Sequence, residues 1–221
     1  MTRTLEYELR DAASQNAKSL VIFLHGYGAD GNDLLGLAEP LAKHLPDTAF
    51  AAPNAPEKCA GGPTGYQWFP IPWIDGSSQE DAAAGLERAT DDLNGFLDQI
   101  EKDEGFGAEN TILFGFSQGT MMALHVAPRR EKCYAGVVGF SGRLLSPEFL
   151  EQDAICKPPV MLVHGDKDEV VPLESLPQAA DKFTEAEFEV FVHVMEGTGH
   201  GIAPDGLGVA TAFMQAKLGI V

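Results

Sequence analysis

The sequence predicts an α/β fold, a single domain over residues 1–221 with a mostly parallel central sheet and helices on both faces. Three observations carry this expectation. Short, mostly continuous apolar runs recur along the chain at 19–24, 48–52, 111–116, 134–140, 160–164 and 188–194, as strands buried on both faces require. Segments with apolar residues at helical spacing lie between many of them, and strands alternating with helices give a parallel sheet with right-handed crossovers. The 221 residues, 44% hydrophobic and 22% charged, suffice for one sizeable core, and no linker, repeat or low-complexity tract divides them.

The elements follow in order. Leu5, Tyr7 and Leu9 alternate with Thr4, Glu6 and Glu8, the period-two pattern of a half-exposed edge strand. "SLVIFL" at 19–24 is a buried strand that runs into the glycine-rich "FLHGYGADG", and a helix is expected over 32–44 before the strand "TAFAA". The stretch 54–76 is rich in Gly and Pro and carries Tyr66, Trp68, Phe69 and Trp73; a loop of that length is either functional or pinned to the core by its aromatics. From 78 to 104, Leu86, Ala89, Leu93, Phe96 or Leu97, and Ile100 recur at helical spacing, with Ser77 and Glu80 as capping box. Helices over 118–127, 173–184 and 207–218 complete the alternation with the strands "TILFGF", "YAGVVGF", "VMLVH" and "FEVFVHV".

Charge and cysteine usage narrow the function. Fifteen Lys+Arg against 33 Asp+Glu leave a formal net charge of −18, a field that repels polyanions. Nucleic acid is not an expected partner, anionic membrane surfaces are disfavoured, and neutral or cationic substrates are mildly favoured. Cys59, Cys133 and Cys156 are an odd number without a CxxC pair, so neither a disulfide scaffold nor a zinc site is expected. The beginning "MTRTLEYELRD" lacks the apolar run of a signal peptide and no stretch approaches a membrane span, so a cytoplasmic protein without stable membrane insertion is expected.

The chemistry centres on "GFSQG". Ser117 stands between Gly115 and Gly119 where a strand ends and a helix begins, the G-x-S-x-G pattern of a strained elbow that lifts a hydroxyl to the carboxyl end of a sheet. Its alternative, a plain helix N-cap, is the weaker reading beside Ser141 of "GFSG", which lacks the second glycine spacing and a following amphipathic helix and is read as structural. A serine nucleophile needs a histidine base, which a carboxylate orients, with the partners following in the order Ser, acid, His. Of the histidines after Ser117, His125, His164 and His193 fall in predicted helix or strand and read as packing residues, whereas His200 occupies the glycine-flanked loop "EGTGHGIAP". In "VHGDKDEVVP", Asp168 is preferred to Asp166, which follows the His-Gly turn directly and bonds backbone in such positions. Gln118 N–H is one expected oxyanion donor, and the loop 23–31 supplies the second.

"LHGYG", "GFSQG", "HGDKDEVVP" and "GTGHG", in this order over nearly the whole chain, resemble the bacterial carboxylesterase/phospholipase family of α/β-hydrolases, related to acyl-protein thioesterases and lysophospholipases. The resemblance implies Ser117 as nucleophile, Asp168 as acid, His200 as base, and the backbone N–H groups of Leu24 and Gln118 as oxyanion hole. Many family members have Trp-Phe-Asp in the long loop where this chain has Trp68-Phe69-Pro70, a change that removes a carboxylate and a backbone donor. Only "SGRLLSPEFLEQDAICKPP" separates the strands "YAGVVGF" and "VMLVH", so no large cap domain is expected. An open acyl groove with Trp68, Phe69 and Trp73 as substrate contacts follows.

The expected function is hydrolysis of short- to medium-chain carboxylic esters by a Ser-His-Asp triad through an acyl-enzyme, with no metal or organic cofactor. A thioesterase or lysophospholipase is the rival within the class, and a non-catalytic small-molecule receptor the rival outside it. A monomer or homodimer is expected.

Overall fold

The computed structural model describes residues 2–59 and 65–220; the positions 60–64 of the aromatic loop lie outside them. β1 (Tyr7–Arg10) and β2 (Ser19–Leu24) are followed by the short helices α1 (Gly31–Leu35) and α2 (Ala38–Ala42) and by β3 (Thr48–Pro53). The two-residue strands β4 (Glu57–Lys58) and β5 (Tyr66–Gln67) pair with each other, and α3 (Pro72–Asp75) precedes the long α4 (Gln79–Glu104). Then come β6 (Thr111–Phe116), α5 (Gln118–Val126), β7 (Gly136–Phe140) and α6 (Leu150–Asp153). β8 (Val160–Gly165), α7 (Ser175–Glu185), β9 (Val190–Met195) and α8 (Pro204–Lys217) close the chain.

Seven strands form one sheet in the order β1-β3-β2-β6-β7-β8-β9. Every neighbouring pair is parallel except β1 with β3. The alternation along each inner strand divides the core in two. Leu20, Ile22 and Leu24 of β2 face a cluster with Leu93 and Phe96 of α4, Met122 of α5 and Phe183 of α7. Val21 and Phe23 face the other side, with Leu34, Leu41, Phe213 and Met214. Phe50, Phe23, Phe114 and Phe140 form a row across four adjacent strands, with successive ring centroids 5.8, 5.2 and 5.2 Å apart; each fully buried ring contributes roughly 1.5–3 kcal/mol by burial alone. Among the described residues no helix is long and apolar enough to cross a membrane.

Three local expectations are corrected. The cap of α4 is Ser78 with Asp81, whose side chain and backbone bond reciprocally, in place of Ser77 with Glu80; Ser77 instead donates its N–H to Asp75. The helix expected over 32–44 is broken at Gly36–Leu37, because Pro40 has no N–H to offer the Gly36 carbonyl. β9 is not buried on both faces: it is the last strand of the sheet, and Phe191, Val192 and Val194 are exposed.

Parallel pairing fixes where function can gather. With Leu24 opposite Gly115 and Gly115 opposite Gly139, the segments that leave β2, β6, β7, β8 and β9 all emerge at the same carboxyl edge.

Candidate active site

Ser117 joins β6 to α5 with φ 53° and ψ −115°, a conformation that costs a non-glycine residue on the order of 1–3 kcal/mol. Its neighbours hold it there: Ser117 N–H donates to Phe140 O at 2.8 Å and Ser117 O accepts from Met121 N at 3.1 Å. The second glycine of the motif is a packing requirement, since a Cβ on Gly119 would collide with the carbonyl oxygen of Leu24. The hydroxyl makes no hydrogen bond among the described residues, and only 9% of the residue surface is exposed.

His200, from the loop after β9, has its ring centroid 4.9 Å from that of Phe116, the residue before Ser117. Its Nδ1 lies 2.7 Å from Asp168 Oδ2. A carboxylate accepts only, so Nδ1 carries the proton and Nε2 presents a lone pair. Asp168, from the loop after β8, is itself held by the N–H groups of Val170 and Val171, which donate to Oδ1 at 2.9 and 2.8 Å. Burial alone would raise its pKa, but the hydrogen bonds from His200, Val171 and Val170 outweigh it and hold the carboxyl below the usual carboxylate range.

Among the described residues Asp166 makes no hydrogen bond to His200, and its Oδ2 lies 3.6 Å from Lys167 Nζ. His164, expected to pack, is buried and does more: Nε2 donates to Val171 O at 2.8 Å and stands 3.3 Å from Asp168 Oδ2, anchoring the loop that carries the carboxylate. His125 sits on α5, its pKa pushed down to about 4 by burial and by Arg129, and His193 pairs with Asp205 at 2.9 Å. Ser141 is fully buried.

Backbone donors without an acceptor occur at the start of α5 and in the loop after β2. The N–H of Gln118 opens α5, and among the described residues it has no acceptor; the same holds for Gly26 and Tyr27. A Cβ on Gly26 would lie 3.2 Å from Ser117 Cβ, so it is this part of the loop after β2 that touches the elbow. Leu24, the donor the resemblance implies, is the last residue of β2, paired with Gly115 and without exposed surface. His25 fastens the loop: Nε2 accepts from Ala55 N at 2.9 Å, so the proton resides on Nδ1, which donates to Gly26 O at 2.8 Å. Burial lowers the His25 pKa and keeps the ring neutral in that arrangement.

The Gln118 side chain, whose part the sequence reading missed, ties the elbow to the aromatic loop. Its Oε1 accepts from Trp68 N at 2.9 Å and its Nε2 donates to Phe69 O at 2.7 Å, while Trp68 Nε1 donates to His25 O at 3.0 Å. A buried polar side chain placed directly after the serine is the one sequence signal for this clasp. Gln118→Ala leaves the Trp68 N–H buried without an acceptor and is expected to destabilise the protein by about 1–3 kcal/mol, measured by urea denaturation; an unchanged midpoint would show that the loop does not depend on the clasp.

The three aromatics expected at the substrate part company. Trp68 is wholly buried and offers no surface to a ligand, because its indole N–H is drawn inward to His25 O. Phe69 is 7% exposed and belongs to the core packed by α4. Pro70 turns its ring to Gly85 of α4. Trp73, 59% exposed, lines a cavity of ≈ 410 Å³ with Met121, Val170, Val171 and Pro172. Met121 N–H is bonded to the Ser117 carbonyl and the N–H groups of the two valines to Asp168, so the walls of this groove come from the segments that carry Ser117 and Asp168.

Loops after successive parallel strands that meet at one sheet edge are the layout of an α/β-hydrolase, and comparison with known proteins agrees. Residues 8–218 match the family described as Phospholipase/Carboxylesterase, and the chain belongs to that family. It is similar to acyl-protein thioesterase 1 of Saccharomyces cerevisiae, 33% identical over 95% of this chain and 98% of the relative. Esterase YpfH of Escherichia coli is 27% identical over 84% of this chain and 77% of its own. The crystal structure of esterase PE8 is 42% identical, covers 98% of this chain and 100% of that one, and superposes with a TM-score of 0.92. The chain is thus a hydrolase of a family whose members are named esterases and thioesterases.

Proposed function

We propose that this hydrolase is a serine carboxylesterase acting on esters of short to medium acyl chains. The observation that carries the reading is the 2.7 Å pair of Asp168 with His200 Nδ1, its imidazole against Phe116, the residue before a serine held at positive φ on its elbow. Ser117 Oγ attacks the ester carbonyl while His200 Nε2 takes its proton. The negative charge that develops on the carbonyl oxygen is met by Gln118 N–H and by Tyr27 N–H, the latter in place of Leu24 N–H. His200 returns the proton to the leaving alcohol, and water repeats the sequence on the acyl-enzyme. Asp168 keeps the imidazole in the Nδ1–H tautomer throughout. We place the protein in the cytoplasm, as a monomer or homodimer.

Hydrolysis of p-nitrophenyl esters from acetyl to dodecanoyl tests the acyl range: rates are expected to peak before the long chains, because a groove of ≈ 410 Å³ holds a limited acyl length. A thioesterase reading has its support in the yeast relative's name; faster turnover of palmitoyl-thioester peptides than of any simple ester would establish it instead.

A further inference from the structure

Arg143 lies three residues beyond β7, directly beside the elbow: a Cβ on the preceding Gly142 would stand 2.9 Å from Ser117 O. In a chain with 33 carboxylates and 15 Lys+Arg, most cations are claimed. Arg3, Arg88, Arg129 and Arg130 each hold a carboxylate. Among the described residues Arg143 makes no hydrogen bond and no ion pair; Arg10, equally without a carboxylate, is on the edge strand β1, away from the groove. The contact that positions Arg143 is Trp73, whose ring centroid is 4.7 Å from the guanidinium carbon. A cation held over an indole face keeps its N–H donors free for another partner.

Two cavities meet at this side chain. The one of ≈ 410 Å³ lined by Trp73 and Met121 and a second of ≈ 560 Å³, bounded by Leu144, Pro147 and α7, share Arg143, Ser175 and Gln178 as walls. Carboxylates also border them: Glu174 in the first, Asp181 and Glu185 in the second. None pairs with Arg143, and Glu185 is bound to Lys182 at 2.6 Å. The groove walls partly strip the guanidinium of water and lower its pKa, yet an arginine stays charged in proteins. A charged planar fork, open to a cavity and without a protein partner, matches the two oxygens of a carboxylate.

The geometry points to Arg143 as a specificity residue that selects esters bearing a carboxylate several bonds from the reacting carbonyl. This rests on the hydrolase reading of Ser117 and names the substrate class of the same groove. The net charge of −18 slows the arrival of anions from solution, while the guanidinium reverses that preference locally, where screening by salt is weaker.

Three esters test it: p-nitrophenyl hexanoate, mono-p-nitrophenyl adipate with the carboxylate on the acyl side, and 4-carboxyphenyl hexanoate with it on the leaving group. The expected result is that Arg143→Gln lowers the ratio of kcat/KM for one carboxylate ester to kcat/KM for the neutral ester tenfold or more, chiefly through KM, and that Arg143→Lys restores part of it. The ester whose ratio falls identifies which side of the substrate meets the guanidinium. Ratios unchanged for both carboxylate esters overturn the assignment. Binding separates this inference from the hydrolase reading: of mono-p-nitrophenyl adipate and 4-carboxyphenyl hexanoate titrated into Ser117→Ala, one is expected to bind at least tenfold more tightly than to Ser117→Ala/Arg143→Gln. Binding that depends on Arg143 without any ester turnover would sink the hydrolase reading alone, and binding of both esters indifferent to Arg143 would sink this one alone.

Discussion

Ser117→Ala is expected to lower kcat for p-nitrophenyl esters by roughly 10⁴- to 10⁶-fold while leaving the fold intact. The loss follows from removing the oxygen proposed to attack the ester, and the intact fold from what that oxygen does not do. Ser117 Oγ makes no hydrogen bond among the described residues, and alanine keeps the same Cβ at φ 53°, so neither a contact nor the backbone strain changes. Circular dichroism and the melting temperature accompany the rate measurement. A folded Ser117→Ala that retains wild-type turnover would reduce the elbow to a helix start and move the chemistry elsewhere.

Asp168→Asn is expected to cost about 10⁴-fold in kcat. The asparagine oxygen can still accept from Val170 N and Val171 N, as Asp168 Oδ1 does. Its amide then faces His200 Nδ1, and two donors cannot share one hydrogen bond. The imidazole must move its proton to Nε2, where it can no longer take one from Ser117. Stability carries a second signature. Because the folded-state pKa of Asp168 is depressed, the stabilisation it supplies is fully present above the unfolded-state pKa and is lost as pH falls through the folded one. The difference in unfolding free energy between wild type and Asp168→Asn is therefore expected to be largest near neutrality and to shrink as pH falls through the carboxylate range. Urea denaturation at several pH values measures it, and a difference constant with pH would mean that the carboxylate's charge contributes nothing to the fold.

The elbow was readable because its cause is local. A buried apolar strand, a serine and a helix start within a few residues leave one backbone solution, and the flanking glycines report close packing that the structure shows at Gly119 against Leu24 O. Asp168 and His200 were readable for a related reason, since parallel strands deliver successive loops to one edge whatever the details of packing. Contacts between distant segments were not readable. The Gln118 clasp joins residues about fifty positions apart, and nothing near Trp68 distinguishes a ring pulled into the core from one facing a ligand. The run "FEVFVHV" has the composition of an inner strand; only the strand order makes β9 an edge with Phe191 and Val192 exposed.

By itself the sequence determined the layered α/β architecture, the serine elbow and the loops from which its partners come, because each depends on periodicity or on neighbours a few residues away. The tertiary structure alone decided that His200 bonds Asp168, that Gly26 packs against the elbow serine, and that Trp73 lines the groove while Trp68 is buried. It also decided that Arg143, among the described residues, is left without a carboxylate in an acidic protein. Those outcomes depend on which segments the sheet brings together and which hydrogen bonds and ion pairs are completed there, and such pairings exist only after the chain has folded.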